Sequence, residues 1–91
     1  MPDYKSITES RFFIDNFTHE EISYAESGSD KKKIFTTIFA IKEALIKCDN
    51  ELINLNFNQI NIKFINHLPK YKKYKISTSS SGKLIIAVVI G

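Results

Sequence analysis

Ninety-one residues, 43% hydrophobic and 25% charged, predict one soluble globular domain with a modest core, small enough that oligomerisation is expected to help it. The net charge of +3 rests on twelve lysines and a single arginine, Arg11; it favours acidic partners, while the scarcity of bidentate guanidinium forks argues against sequence-specific nucleic-acid binding. No apolar run approaches membrane-spanning length, no basic-then-apolar leader opens the chain, and the lone Cys48 excludes an internal disulfide, so the expectation is a cytoplasmic protein without a membrane span.

Residues 1–10 are polar and aperiodic and read as a loose start. Arg11 to Phe17 carries four large apolar residues, which fits a short helix or turn that packs. Thr18-His19-Glu20-Glu21 is a capping box: the Thr18 hydroxyl can accept from the Glu21 amide, and the Glu21 carboxylate from the Thr18 amide. Phe17 and Ile22 occupy the hydrophobic-staple positions around it. A helix therefore starts at Thr18 and ends by Ser27-Gly28-Ser29.

Asp30 is the next N-cap. From there Ile34, Ile38, Ile41, Leu45 and Cys48 recur at helical spacing, with Phe35, Phe39 and Ile46 widening the stripe. This predicts a helix over 30–48 with Cys48 as a packed thiol, since no base is placed beside it. Lys31, Lys32 and Lys33 fall in the first turn, where the dipole disfavours cations; solvation or an anionic ligand would offset this. Thr36, Ala40, Glu43 and Lys47 share the side opposite Ile34, Ile38, Ile41 and Leu45. Glu43 and Lys47 are spaced i,i+4 with the acid first, a pair that stabilises an exposed helix by roughly 0.2–0.5 kcal/mol. By local physics alone this flank is a solvated stripe.

Asp49 to Asn58 reads as a linker. Ile60 to Phe64 alternates with period two, a half-exposed strand that Leu68-Pro69 breaks. Lys75 to Ser79 and Lys83 to Ile90 read as strands around a short hairpin at Ser80-Ser81-Gly82. Leu84 to Ile90 is apolar throughout, which predicts burial or an interface. Between the strands, Leu68 to Lys75 interleaves Tyr71 and Tyr74 with Lys70, Lys72, Lys73 and Lys75. That is either an exposed basic loop or a surface for single-stranded nucleic acid. The element order gives an α+β fold: two or three helices packed on a small antiparallel sheet.

Three blocks in order carry a resemblance. Arg11-Phe12 followed by Phe17-Thr18-His19-Glu20-Glu21-Ile22, then Phe39-Ala40-Ile41-Lys42-Glu43-Ala44-Leu45-Ile46-Lys47-Cys48, then Ser77-Thr78-Ser79-Ser80 through Ala87-Val88-Val89-Ile90, cover residues 11–90. Together they resemble holo-acyl-carrier-protein synthase, the small type of 4'-phosphopantetheinyl transferase. The resemblance implies transfer of the phosphopantetheine arm of coenzyme A to a serine of an acyl carrier protein, with magnesium. It assigns Glu43 as a metal carboxylate. Lys42 and Lys47 become phosphate-facing lysines, Lys47 with a catalytic part, and Ser80 and Ser81 contacts to coenzyme A. It also implies a homotrimer with the site between protomers.

The chain departs from the family at several positions. The family's opening strand, Gly-Ile-Asp-Ile-Val-Glu-Ile, supplies a second metal carboxylate; the start of this chain has no such run, and Asp3 is too close to Phe17-Thr18 to inherit the role. A family histidine is replaced by Ser80 and a family arginine by Ile38. His19, in a first helical turn, and His67, in a turn before Pro69, do not replace the lost base. The departures leave two further readings open: a degenerate, non-catalytic member that binds a carrier protein or coenzyme A, and a small basic nucleic-acid-binding domain.

Overall fold

The computed structural model describes residues 11–82 and 84–91. The loose start expected for residues 1–10 lies outside them. Helix α1 (Arg11–Asn16) is continued by the Phe17 amide, which donates to the Phe13 carbonyl at 2.9 Å. This last turn puts Phe13 and Phe17 side by side. Their rings meet Phe35 at centroid distances of 4.7 and 4.8 Å, in tilted geometries that suit aromatic quadrupoles.

Helix α2 (His19–Ser27) begins as the capping box requires. Thr18 Oγ1 accepts from the Glu21 amide at 3.2 Å, and Glu21 Oε1 accepts from the Thr18 amide at 2.8 Å. It stops at Gly28, whose amide donates to the Ala25 carbonyl. A Cβ at Gly28 would lie 2.3 Å from Ile34 Cδ1, so a larger residue there would push the Ile34 side chain aside.

Helix α3 (Lys31–Cys48) is capped by Asp30, whose Oδ1 accepts from the Lys33 amide at 3.1 Å. It buries Phe35, Ile38, Ile41 and Leu45, as the periodicity predicts. Each such aliphatic side chain contributes about 1.5–3 kcal/mol by leaving water. Two positions differ from expectation. Cys48 is exposed, because it closes the stripe at the rim of the core on the helix's final residue. Lys42 is fully buried.

The expected linker is two 3₁₀ turns. Asn50–Asn54 is capped by Asp49 and buries Leu52; Phe57–Gln59 is held by the Asn56 amide donating to Gln59 Oε1 at 2.8 Å. Ile60 and Ile62 then enter the core in an extended segment, so the period-two pattern reports burial correctly. The ladder itself begins later, at β1 (Lys63–Ile65). Leu68-Pro69 does not end the sheet. It lies in β2 (Leu68–Lys70), which pairs antiparallel with β1 in the register Lys63↔Lys70, Phe64↔Pro69, Ile65↔Leu68. Asn66 and His67 form the connecting turn with φ of 54° and 65°, the left-handed pair that a two-residue hairpin needs.

A tight turn through Lys72, with φ of 49°, leads into β3 (Lys75–Ser81) and β4 (Leu84–Ile90), joined at Gly82 with φ of 60°. Ser80 and Ser81 are thus the end of a strand, paired with Ile85 and Leu84, rather than the hairpin turn itself. The fold is α+β, and the described residues form two two-stranded antiparallel sheets. β4 lies against α3 through Ala87 and Val89, while Leu84, Ile86, Val88 and Ile90 point outward at 49–61% exposure. Among the described residues no helix is long and apolar enough to cross a membrane.

The two ends of the core are closed by polar contacts that differ in depth. Glu21 and Lys42 form a fully buried ion pair at 2.6 Å. Glu21→Ala leaves the Lys42 ammonium buried with no counter-charge, and a loss of about 3–5 kcal/mol is expected in urea unfolding. At the far end of α3 the Tyr74 hydroxyl donates to Asp49 Oδ2. That bond pushes the Tyr74 phenol up to about 12 and holds the Asp49 carboxyl below its ordinary value. Stability from the raised phenol is complete below its ordinary value of 10.0 and is lost as pH rises towards about 12. Stability from the depressed carboxyl is complete above 3.8 and is lost as pH falls through its folded value. Tyr74→Phe is expected to flatten the alkaline limb and shrink the acid limb of a stability–pH curve measured by denaturant unfolding.

Candidate functional site

Successive residues on a helix are turned by about 100°, so neighbours can belong to opposite environments. Lys42 and Glu43 do. Phe35, Ile38, Lys42 and Leu45 follow the 3-4-3 spacing of one buried face. Glu43 falls on the next flank, exposed, with Lys47 one turn on and also exposed. Thr36 is exposed on the same flank about two turns before Glu43.

The Lys42 ammonium donates to Glu21 Oε1 at 2.6 Å, to the Asn16 carbonyl at 2.8 Å and to the Phe57 carbonyl at 2.7 Å. These account for all three of its protons. The Phe17 ring lies 5.3 Å from the nitrogen. Burial lowers the Lys42 pKa, because the charged form has lost its water; the hydrogen bond and charge of Glu21 oppose that shift. The carboxylate is equally occupied, since Glu21 Oε2 accepts from the Ile62 amide at 2.6 Å. Among the described residues no buried side-chain polar atom lacks a partner. Lys42 is therefore turned into the core with each of its protons taken, and the phosphate-facing role expected for it does not match this placement. The sequence carried a signal for this. Lys42 stands at a core position of the wheel, and the capping box already aims Glu21 back towards the chain.

Glu43 presents one exposed carboxylate, and among the described residues no cluster of three or more His, Cys, Asp or Glu side chains is placed to hold a metal ion. Magnesium takes one or two protein carboxylates and completes its octahedron with waters and substrate phosphates. Glu43 fits one such ligand position. Ser80 and Ser81 are exposed at the tip of the β3–β4 hairpin. His67 Nδ1 lies 3.2 Å from the Tyr24 hydroxyl, and Tyr24 stacks on Phe64 at 4.2 Å, so this histidine closes the first hairpin onto α2.

Two features lie outside the sequence expectations. One is the buried ion pair. The other is a polar cleft of about 550 Å³ lined by Asp15, Asn16, Leu55, Asn56, Phe57 and Asn58, between the end of α1 and the second 3₁₀ turn. Its residues come from segments about forty positions apart, which no local pattern connects. The basic turn is also better defined: Lys70, Lys72, Lys73 and Lys75 are exposed, while Tyr71 and Tyr74 stack on each other at 6.4 Å.

This arrangement, a capped α2 feeding a carboxylate into the lysine of a Lys-Glu-Ala helix, with a C-terminal hairpin against that helix, extends over the same blocks that carry the sequence resemblance. No curated protein and no solved structure matches the chain significantly. A family model does, over residues 3–89: that of the 4'-phosphopantetheinyl transferase superfamily. With nearly the whole length matched, the chain belongs to the 4'-phosphopantetheinyl transferase superfamily.

Proposed function

We propose that this protein transfers phosphopantetheine from coenzyme A to a serine of an acyl carrier protein. The observation that carries the reading is the exposed Glu43–Lys47 flank on a Lys-Glu-Ala helix, in a chain that matches the family over residues 3–89. In the step, the serine oxygen forms a bond to a diphosphate phosphorus and the bond to 3',5'-adenosine diphosphate breaks, with the serine proton passing to solvent. Bound magnesium would neutralise the diphosphate. Glu43 would hold that ion through one carboxylate. Lys47, exposed one turn on, would meet the phosphate oxygens as a point charge and support the charge that develops on the leaving diphosphate. The hydroxyls of Ser80 and Ser81 would hydrogen-bond more distant parts of coenzyme A. Exposed lysines at 70, 72, 73 and 75 suit an acidic carrier protein.

The outward row Leu84, Ile86, Val88 and Ile90 supports assembly of several copies, with the family's trimer as the proposed state. A second reading, a non-catalytic member that binds coenzyme A or a carrier protein, draws on one observation. Ile38, which stands where the family has an arginine, is fully buried and offers no charge to a ligand.

The deciding assay incubates the protein with coenzyme A, magnesium and a panel of apo carrier proteins, and weighs the carriers by mass spectrometry. A phosphopantetheine mass gain is expected, and Glu43→Gln and Lys47→Gln are each expected to lower its rate by about 10²-fold or more. Binding of coenzyme A by calorimetry without any mass gain would transfer the case to the non-catalytic reading.

A further inference from the structure

A buried ion pair is weak evidence of stabilisation, because an apolar pair of equal volume commonly does as well or better. The Glu21–Lys42 pair therefore asks for another reason, and its acceptors supply one. Lys42 joins three separate elements to α3: the Asn16 carbonyl at the end of α1, the Glu21 carboxylate of α2, and the Phe57 carbonyl of the second 3₁₀ turn. Asn16 and Phe57 both line the 550 Å³ cleft, one from each of the two segments that form its walls. Phe57 in turn packs edge-on against Phe39, at 5.0 Å, one turn before Glu43 on the same helix. The ammonium thus ties both segments that line the cleft to α3, while the Asn58 side-chain amide, donating to the Ile14 carbonyl at 3.2 Å, joins those two segments without reaching α3.

We infer that Lys42 is a positioning residue: its ammonium sets the separation of the cleft walls and the rotation of α3 that turns Glu43 and Lys47 outward. Carbonyl oxygens cannot be held this way by a hydrocarbon. A methionine at 42 fills the volume but donates no hydrogen bond to the Asn16 and Phe57 carbonyls, and the Phe57 carbonyl keeps only its turn bond from the Ile60 amide among the hydrogen bonds described. The consequence for phosphopantetheine transfer rests on the function proposed above; the clamp itself does not.

Two measurements test it. In the wild-type chain, acetylation with an amine-reactive ester and peptide mass analysis is expected to modify Lys42 about 100-fold or more slower than Lys32, Lys33 and Lys47, because only an opened state exposes it. Modification of Lys42 at the Lys47 rate would overturn the inference, and this arm needs no variant to fold. In the Glu21→Leu/Lys42→Met double variant, the melting temperature is expected to stay near that of the wild type. Amide exchange at Gln59 and Ile60, whose amides donate to the Asn56 and Phe57 carbonyls of the cleft lining, is expected to speed up by about tenfold or more while Ile41 and Leu45 in α3 keep their protection. Exchange that is unchanged at the wall, or faster everywhere alike, marks a merely structural pair. Where the wild type transfers phosphopantetheine, the same variant is expected to lose about tenfold or more in kcat with KM for coenzyme A nearly kept. A wild type that shows no turnover with any carrier removes the transfer reading and leaves the clamp to be decided by labelling and exchange.

Discussion

The ammonium of Lys42 and the carboxylate of Glu21 meet 2.6 Å apart with no exposed surface on either side chain. Every other feature of the helical half is arranged to make this tolerable. Two charges removed from water persist only if each lone pair and proton finds a partner. Here the partners are main-chain groups from the end of α1, the cap of α2, the second 3₁₀ turn and the segment entering β1. The segment 61–62 is held a second time, since the Thr18 hydroxyl donates to Asn61 Oδ1 and the Asn61 amide donates to Glu20 Oε2. A chain of this size has few buried apolar residues to spend on order, and one satisfied ion pair orients five segments at once.

Around that pair the apolar packing is divided in two. Phe13, Phe17, Phe35, Phe39 and Phe57 make a continuous aromatic cluster on the side of α1 and the 3₁₀ turns. Ile76, Ala87 and Val89 cover the helix from the hairpin side. The hairpin is covered on one face alone. Its other face sets Leu84, Ile86, Val88 and Ile90 beside the smaller polar row Ser81, Ser79, Ser77 and Lys75. An apolar row on a two-stranded sheet is the kind of surface that assembly completes, and its placement opposite the core leaves the helix flank with Glu43 and Lys47 open to a ligand.

The division of labour within Lys42-Glu43 follows from helix geometry. A lysine and a glutamate adjacent in sequence are separated by about 100° around the axis, enough for one to enter the core and the other to face water. The same two letters that suggest a pair of catalytic charges therefore serve separate ends. The lysine governs where the helix lies; the glutamate is what the helix presents.

Much of the fold was legible from the residues. The capping box at Thr18, the cap at Asp30, the stripe Phe35-Ile38-Ile41-Leu45, and the apolar strand at the C-terminus are local patterns, and local patterns are set by neighbours three or four positions away. The Asn66-His67 turn was hidden because neither residue is a glycine, although both adopt the left-handed conformation. The exposed outer row of β4 was hidden because seven consecutive apolar residues do not say which face is covered. The Glu43–Lys47 flank could be placed by spacing alone. The inward turn of Lys42 and the cleft from Asp15 to Asn58 required tertiary structure, because each depends on contacts between segments 15 to 44 residues apart. The sequence by itself determined which elements form and which flank carries charge. Only the folded chain decided which of those charges is buried, since a cation can leave water only where distant carbonyls and a carboxylate converge to receive it.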